Sequence, residues 1–476
     1  MKLDVQVSGK TVAQLYRERD EYALKYLPGT NTVDFISLTM PVRDEPWRWP
    51  RDLHPFFRQN LPEGYLLNII REEFGPLLDG TDLSLLAVVG GTSIGRVTVT
   101  PEGVEPGVEM EPLQIESILT AENTAEHFAS LVRRYARASI SGVVPKFIAP
   151  EESPEEALGP LGKPTLRTSR HIVKGSDDST PYLGFNEFYS MRVLERLNVV
   201  PVARTRMSDD GRVLVVERFD VDEQGTPTHG LEDACGLLGL PPHEKYATTI
   251  EKVLNATRAY LPPAHVRVQL EQFGWHVLAN YVVRNADCHA KNIALYYTRL
   301  GDVGFTPVYD IVTTQAYPRY ANNPPGLSID GRQTWSAGKA LQRFFNARLG
   351  IAPRLYADMV ERLCESAVEV GAEVIEAAKN EPHWRPIAKQ MVHAWNEGMA
   401  SLRDPKKPVA LRGLDDAISA AGFSEPEPPF ARQFDSSRRP DSGSWALAPR
   451  SGAGRRYPES RKRWRGCDRS RAGSIR

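Results

Sequence analysis

Cysteine is scarce, with four in 476 residues, at Cys235, Cys288, Cys364 and Cys467. None stands a short step from another, so neither a zinc ribbon nor a disulfide scaffold can be built, and a reducing cytoplasm is the expected compartment. Also missing is any uninterrupted apolar run of about 18 residues, the length a membrane-spanning helix needs. The opening stretch, MKLDVQVSGKTVAQLYRERD, is charged and alternating and has no apolar core of an export signal. Neither export nor membrane insertion is expected. Net charge is nearly absent as well, -1 from 59 basic and 60 acidic residues, so no overall field draws the chain toward nucleic acid or an anionic membrane. No repeat of about 20 to 50 residues is present, which sets aside solenoids and propellers.

Hydrophobic residues at 41% and charged residues at 25% are ordinary globular values, so the chain folds. Its length exceeds what one core supports, and two or three domains, or one large two-lobed fold, are expected. Residues 1–105 read as a β-rich unit: LDVQVSG, FISLTMPV and GRVTVTP alternate with the period of half-buried strands. LPEGYLLNIIREEFG and TDLSLLAVVG between them have helical spacing and helix-start residues. Across 125–222 the order is a helix, HFASLVRRYAR, two strands in SISGVVPKFIA and RHIVKGS, a helix in GFNEFYSMRVLERLNV, and a hairpin from VARTRMS and GRVLVVERFD. That order suits the smaller, sheet-bearing lobe of a nucleotide-binding fold. Residues 223–422 are largely helical, interrupted by a polar loop and hairpin in NADCHAKNIALYYTRLGDVGFTPVYD. Beyond 422, Pro, Ser, Gly and Arg take over, and 423–476 is expected to be a disordered basic tail. Its Arg clusters with Tyr457 and Trp464 could hold nucleic acid, but a solvated extension without function is the stronger expectation.

Chemistry concentrates in the interruption. Moving a γ-phosphoryl group to a hydroxyl needs a carboxylate to orient that hydroxyl and oxygen ligands to hold Mg²⁺ on the phosphates. Asp287 and Asn292 repeat the five-residue interval of a protein-kinase catalytic loop, and Asp310 arrives after the hairpin where a metal-binding Asp belongs. Both Asp and Asn also cap helices and close turns, which is the plainer explanation of the pair taken alone. His289, Lys291 and Tyr309 crowd the same positions and weaken it. His289 is expected to buttress the loop, and Cys288 to be a small filler.

The ordered segments ISGVVPKF, RHIVK, NE, ERFD, KY, NADCHAKN and PVYD, with ISLTMPV and LPEG before them, resemble the HipA family of kinase toxins over residues 1 to about 420. The resemblance implies an α+β, two-lobed protein-kinase-like fold with an N-terminal β-rich subdomain and a mainly helical C-terminal lobe. It implies Asp287 as the catalytic residue, Asn292 and Asp310 as Mg²⁺ ligands, and Lys174 on the ATP phosphates with Glu187 as its ion-pair partner. Glu217 and Phe219 of ERFD would meet the adenine, and Ser139, Ser141, Gly142 and Lys146 would belong to the loop over the phosphates, with His289 and Lys291 nearby. Ser139 or Ser141 would be autophosphorylated. Two departures stand out: Val144 replaces a frequent Gln, and Val221 a frequent basic residue.

The implied function is an ATP-dependent serine/threonine kinase, the toxin of a module with a HipB-like helix-turn-helix antitoxin, reaching operator DNA through that antitoxin. Its expected target is a translation component such as an aminoacyl-tRNA synthetase. Two other readings remain: a catalytically silent corepressor acting through the antitoxin, and a metal-dependent hydrolase using Asp287, His289, Asn292 and Asp310. The second is poorly supplied with metal ligands, having one His.

Overall fold

The structure is a computed structural model that describes residues 1–62, 64–75, 78–104, 114–140, 165–335 and 338–403. Residues 141–164 and the basic tail lie outside the described residues.

The N-terminal alternation produces β1 (Lys2–Val7), β2 (Lys10–Glu18), β3 (Glu21–Tyr26) and β4 (Trp47–Pro50). Ser8 and Gly9, both at positive φ, turn β1 into β2, and two such residues match the right-handed twist of a tight hairpin. Three helices follow: α1 (Pro55–Arg58), α2 (Gly64–Phe74) and α3 (Asp82–Val89), the last capped by Thr81, whose hydroxyl accepts from Ser84 N. The chain returns as β5 (Val97–Pro101) beside β1, giving the antiparallel order β4-β3-β2-β1-β5.

FISLTMPV, expected as a strand, is not one: Ser37 and Met40 form an isolated bridge around a turn. Its alternation serves burial in two cores. Ile36 and Met40 join the core of the N-terminal sheet, while Phe35 and Leu38 enter the main core, Phe35 stacking on Tyr297 at 5.2 Å.

Next come α4 (Ile115–Thr120), α5 (Ala125–Ile140), β6 (Thr165–Arg167), β7 (His171–Lys174), α6 (Leu183–Glu195), β8 (Thr205–Met207) and β9 (Leu214–Glu217). The four strands form an antiparallel sheet in the order β6-β7-β9-β8. Where a strand was expected from Ser139, the helical backbone of α5 continues through Ile140.

The remainder holds β10 (Gly230–Asp233), α7 (Ala234–Leu237), α8 (Ile250–Arg258), α9 (Val266–Val282), β11 (Ala294–Arg299), β12 (Asp302–Phe305), α10 (Gly338–Ala347), α11 (Pro353–Asn380) and α12 (Arg385–Leu402). The β11–β12 hairpin is as the sequence implies, but β10 pairs with it to make a third strand. Four residues are too short a run for periodicity to reveal. Gly398 lets α12 press on the backbone of α9, where a methyl group would sit 2.0 Å from the Val282 oxygen.

Polar contacts fasten the N-terminal sheet unit to the rest. Asp220, buried, pairs with Arg218 at 2.6 Å and accepts from Gly95 N at 2.7 Å. Glu232 on β10, fully buried, accepts from Ser37 Oγ at 2.8 Å and Leu38 N at 2.9 Å. Burial pushes its carboxyl up to about 7, against the pull of those donors.

Because this folded-state value lies above the ordinary 4.5, the folded protein favours the protonated acid. The contribution is present in full below pH about 4.5 and is lost as pH rises through about 7. Glu232→Gln, a permanent mimic of the neutral acid, is expected to remove this component, so unfolding curves of variant and wild type should diverge between those pH values. Parallel curves would refute it. A second expectation concerns Gly326, where a methyl group would lie 2.4 Å from the Cys288 oxygen and 2.8 Å from the Ala286 oxygen. Both obstacles are backbone, so Gly326→Ala should cost about 1–3 kcal/mol in denaturant unfolding.

Candidate functional site

Lys174 ends β7, and Glu187 sits on α6, where the neighbouring strands and core leave its side chain 1 % exposed. The Lys174 ammonium donates to Glu187 Oε1 at 2.5 Å and to Asp310 Oδ1 at 2.7 Å. The ion pair expected between Lys174 and Glu187 is present, and Asp310 completes a group of one cation and two carboxylates. Such a group holds together because each buried charge loses water that only an opposite charge can replace.

Two devices deliver Asp310. Val308 bridges in parallel to Val202, with Val308 N on Pro201 O and Ala203 N on Val308 O, both at 2.9 Å. Asn186, next to Glu187, holds both backbone groups of Thr313: Thr313 N donates to its Oδ1 and its Nδ2 donates to Thr313 O. The helix bearing Glu187 and the segment bearing Asp310 are thus clamped three residues beyond the carboxylate. Asp310 itself has φ +60°, a left-handed conformation that an Asp tolerates with help from local hydrogen bonds. Its carbonyl receives one from Asn285 Nδ2 at 3.2 Å.

Asn285 is also the organiser of the 285–292 loop. Its Nδ2 reaches Asn280 Oδ1 on α9 at 2.7 Å, and its Oδ1 accepts from Asp287 N at 3.0 Å. Thr314 Oγ1 accepts from Ala286 N and donates to Arg284 O, tying the loop start to the segment after Asp310. Asn292 Nδ2 donates to Asp287 O at 3.0 Å, so the loop closes on itself across the five-residue interval. The short 3-10 turn Ala290–Asn292 has no side-chain cap, so the plain capping explanation of Asp287 does not apply there.

The Asp287 carboxylate, nearly buried, accepts from the Tyr246 hydroxyl, and His289 Nε2 stands 3.9 Å from the same oxygen. Tyr246 and His289 meet edge to face, 4.9 Å between ring centres. Cys288 is partly buried and packs against the main core, where desolvation, with Asp287 and Asp310 nearby, pushes its thiol up to about 12, as befits a filler. His276 on α9 is held neutral by burial, its value lowered to about 4. Tyr309 donates to Lys291 O at 2.9 Å, linking the two halves again.

Of the other predicted residues, those that are described sit on neighbouring elements. Glu217 ends β9 with an exposed carboxylate 3.7 Å from Arg204, and its backbone N–H donates to Arg204 O. Phe219 is half-buried against Tyr296 and Tyr309, with the Tyr309 ring 5.9 Å away, so it is one ring from Asp310. Val221 forms a bridge to Pro227 in a turn. Ser139 lies in the last turn of α5, whereas Ser141, Gly142, Val144 and Lys146 lie outside the described residues. Tyr246 and Asn285 are contributors whose roles the sequence does not announce. Each stands inside a motif, KY and NADCHAKN, which was the available signal.

As a cation site, the region offers Asp310 carboxylate oxygens and the Asn292 amide oxygen, whose nitrogen is committed to Asp287 O. Hard oxygen donors of this kind fit Mg²⁺ completed by phosphates and water. Among the described residues, no three His, Cys, Asp or Glu side chains come together as a metal cluster of their own.

The comparisons with known proteins agree with one another. Residues 3–100 match the model of the HipA N-terminal domain, and residues 138–371 that of the HipA-like C-terminal domain. Y4mE of Sinorhizobium fredii, named as a candidate kinase, is 30% identical over 403 residues, covering 79% of this chain and 92% of Y4mE. Y4dM of the same organism, named likewise, is 25% identical over 278 residues, 55% of this chain and 63% of Y4dM. Among solved structures, a chain of the Shewanella oneidensis MR-1 complex of HipA, HipB and operator DNA superposes with a TM-score of 0.58 at 20% identity. That match covers 88% of this chain and 96% of the other, and it shows the fold. With both domain models in order and a relative matched over most of its length, the chain is a member of the HipA family, built on the HipA α+β fold.

Proposed function

We propose that this chain is an ATP-dependent protein serine/threonine kinase. The observation that carries the reading is the junction of Lys174, Glu187 and Asp310 beside a loop that presents Asp287 five residues before Asn292. A flexible Lys at a strand end delivers one compact charge to phosphate oxygens. Asp310 and Asn292 would hold Mg²⁺, which when bound neutralises charge on the phosphates. Asp287 would orient an acceptor hydroxyl and take its proton as oxygen bonds the γ-phosphorus. The bond from that phosphorus to the β–γ bridging oxygen breaks, and ADP leaves. Catalysis on this plan rests on positioning and charge, both supplied by groups held on several elements at once. Glu217 and Phe219 would line the adenine side, and Ser141, Gly142, Lys146, His289 and Lys291 the phosphate side.

Family membership supports the biological setting. The chain would be the toxin of a HipA/HipB-like module, bound by a helix-turn-helix antitoxin and through it to operator DNA, with an aminoacyl-tRNA synthetase as the class of target. A silent corepressor would share the partners but not turn over ATP, so ATP turnover separates the two readings. The metal-dependent hydrolase is disfavoured by the donor set, which has a single His beside two carboxylates and an amide.

Asp287→Asn and Asp310→Asn should each lower phosphoryl transfer by about 10²- to 10⁴-fold while the protein still unfolds cooperatively from an intact fold. Labelled ATP with cell extract measures the first and thermal unfolding the second. Near-normal transfer in either variant would sink the assignment. Ser139, the expected autophosphorylation site, would acquire a charge of about -1.5 to -2. Next to a nucleotide that charge should repel the γ-phosphate and weaken ATP binding. Mass spectrometry after incubation with ATP, paired with nucleotide affinity, checks this, and an unmodified Ser139 and Ser141 would contradict it.

A further inference from the structure

We propose that Tyr246 is the positioning residue for Asp287, a role that rests on the kinase reading above and deepens it on the acceptor side of the site. The 245–246 dipeptide grips the loop at three places. Ala290 N donates to Lys245 O at 3.1 Å, the Tyr246 hydroxyl donates to Asp287 Oδ1, and the Tyr246 ring meets His289 edge to face. Backbone, carboxylate and imidazole are therefore held by two consecutive residues.

The grip is firm because the dipeptide is anchored on both sides. Before it, Lys245 N donates to Pro242 O in a 3-10 turn, and Leu240 N donates to Cys235 O next to α7. After it, Ala247 N donates to Glu244 O, and Thr249 caps α8 by accepting from Lys252 N. At the same cap Ile250 N donates to Ser328 O at 3.0 Å. Ser328 is two residues from Gly326, whose bare Cα lets that segment press on the backbone of Cys288 and Ala286. The phenol and the loop are thus tied to one frame from opposite sides.

A carboxylate on a single-bonded Asp side chain turns about its last torsion with little cost. A phenolic O–H fixed on one oxygen removes that freedom and aims the carboxylate, in the manner in which outer partners orient metal and catalytic ligands. The nucleotide side is built differently, since Lys174 is set by Glu187 and Asp310. Removing the Tyr246 hydroxyl should therefore slow transfer to an acceptor without loosening ATP.

The experiment compares wild type, Tyr246→Phe and Asp287→Asn as full-length proteins. ³³P transfer from ATP into total soluble cell protein, ADP release and thermal unfolding are read together. The expected result for Tyr246→Phe is a kcat for transfer lower by about 10- to 100-fold. The KM for ATP should stay within about twofold of wild type and the unfolding midpoint should not move, because a lost orienting bond acts on the transition state alone. A Tyr246→Phe enzyme with wild-type kcat overturns the proposal while Asp287→Asn still shows the site to be correct. A variant that loses ATP affinity and stability along with kcat also overturns it, as that is a structural role. If Asp287→Asn itself transfers phosphate normally, the assignment of Asp287 fails and this proposal with it, whereas a wild-type protein that transfers no phosphate defeats the kinase reading itself.

Discussion

One ammonium group, that of Lys174, joins three elements that are far apart in sequence. It ends a strand, reaches into a helix through Glu187 and meets a loop through Asp310, residues separated by up to 136 positions. Two carboxylates this close to one another would repel if the cation were removed, and a buried cation would be costly without them. Each carboxylate thus needs the cation, and the cation needs a carboxylate. The surrounding bonds repeat the logic: Asn186 fastens the helix to Thr313, and Asn285 fastens the loop of Asp287 to the backbone of Asp310. Fixing the position of any one of these charges largely fixes the rest.

The N-terminal sheet unit is bound into the same body by a different kind of contact. Gly95 meets Asp220, and Ser37 and Leu38 meet Glu232, all with buried acceptors. Arg96 adds hydrogen bonds to the carbonyls of Thr298 and Phe35 and lies over the Phe35 ring. Buried polar contacts of this sort demand correct geometry, because an unmatched group pays its desolvation cost in full. Within ERFD, Arg218 and Asp220 form a structural joint, while Phe219 meets the rings of Tyr296 and Tyr309, the residue before Asp310.

Much of this was legible in advance where residue type and spacing carry chemistry. The interval from Asp287 to Asn292, the hairpin before Asp310 and the strand in RHIVKGS with the helix and two strands after it all have local causes, whereas the first strand of that sheet, Thr165–Arg167, was not expected. FISLTMPV shows the opposite case. Its alternation is real, but Phe35 and Leu38 are drawn into one core and Ile36 and Met40 into another, so burial on two sides imitates a strand. Ser139 and Ile140 open SISGVVPKFIA, whose pattern reads as a strand, yet α5 continues through them. Tyr246 was visible only as half of KY, since nothing in a sequence says which carboxylate a phenol 41 positions away will meet.

By itself, then, the sequence determined the family, the division into a β-rich beginning and a helical end, and the identity of the charged groups at the site. These follow from periodicity, from turn and cap chemistry and from ordered motifs, all of them short-range properties of the chain. Beyond the pair of Lys174 and Glu187, tertiary structure alone decided which charges and polar groups touch. That Lys174 takes Asp310 as well as the expected Glu187, that Asn285 reaches the backbone of Asp310, and that Glu232 is sealed under Ser37 and Leu38 are long-range pairings. Their reason is that a buried polar group must find its partner wherever packing leaves one, and packing is a property of the whole core.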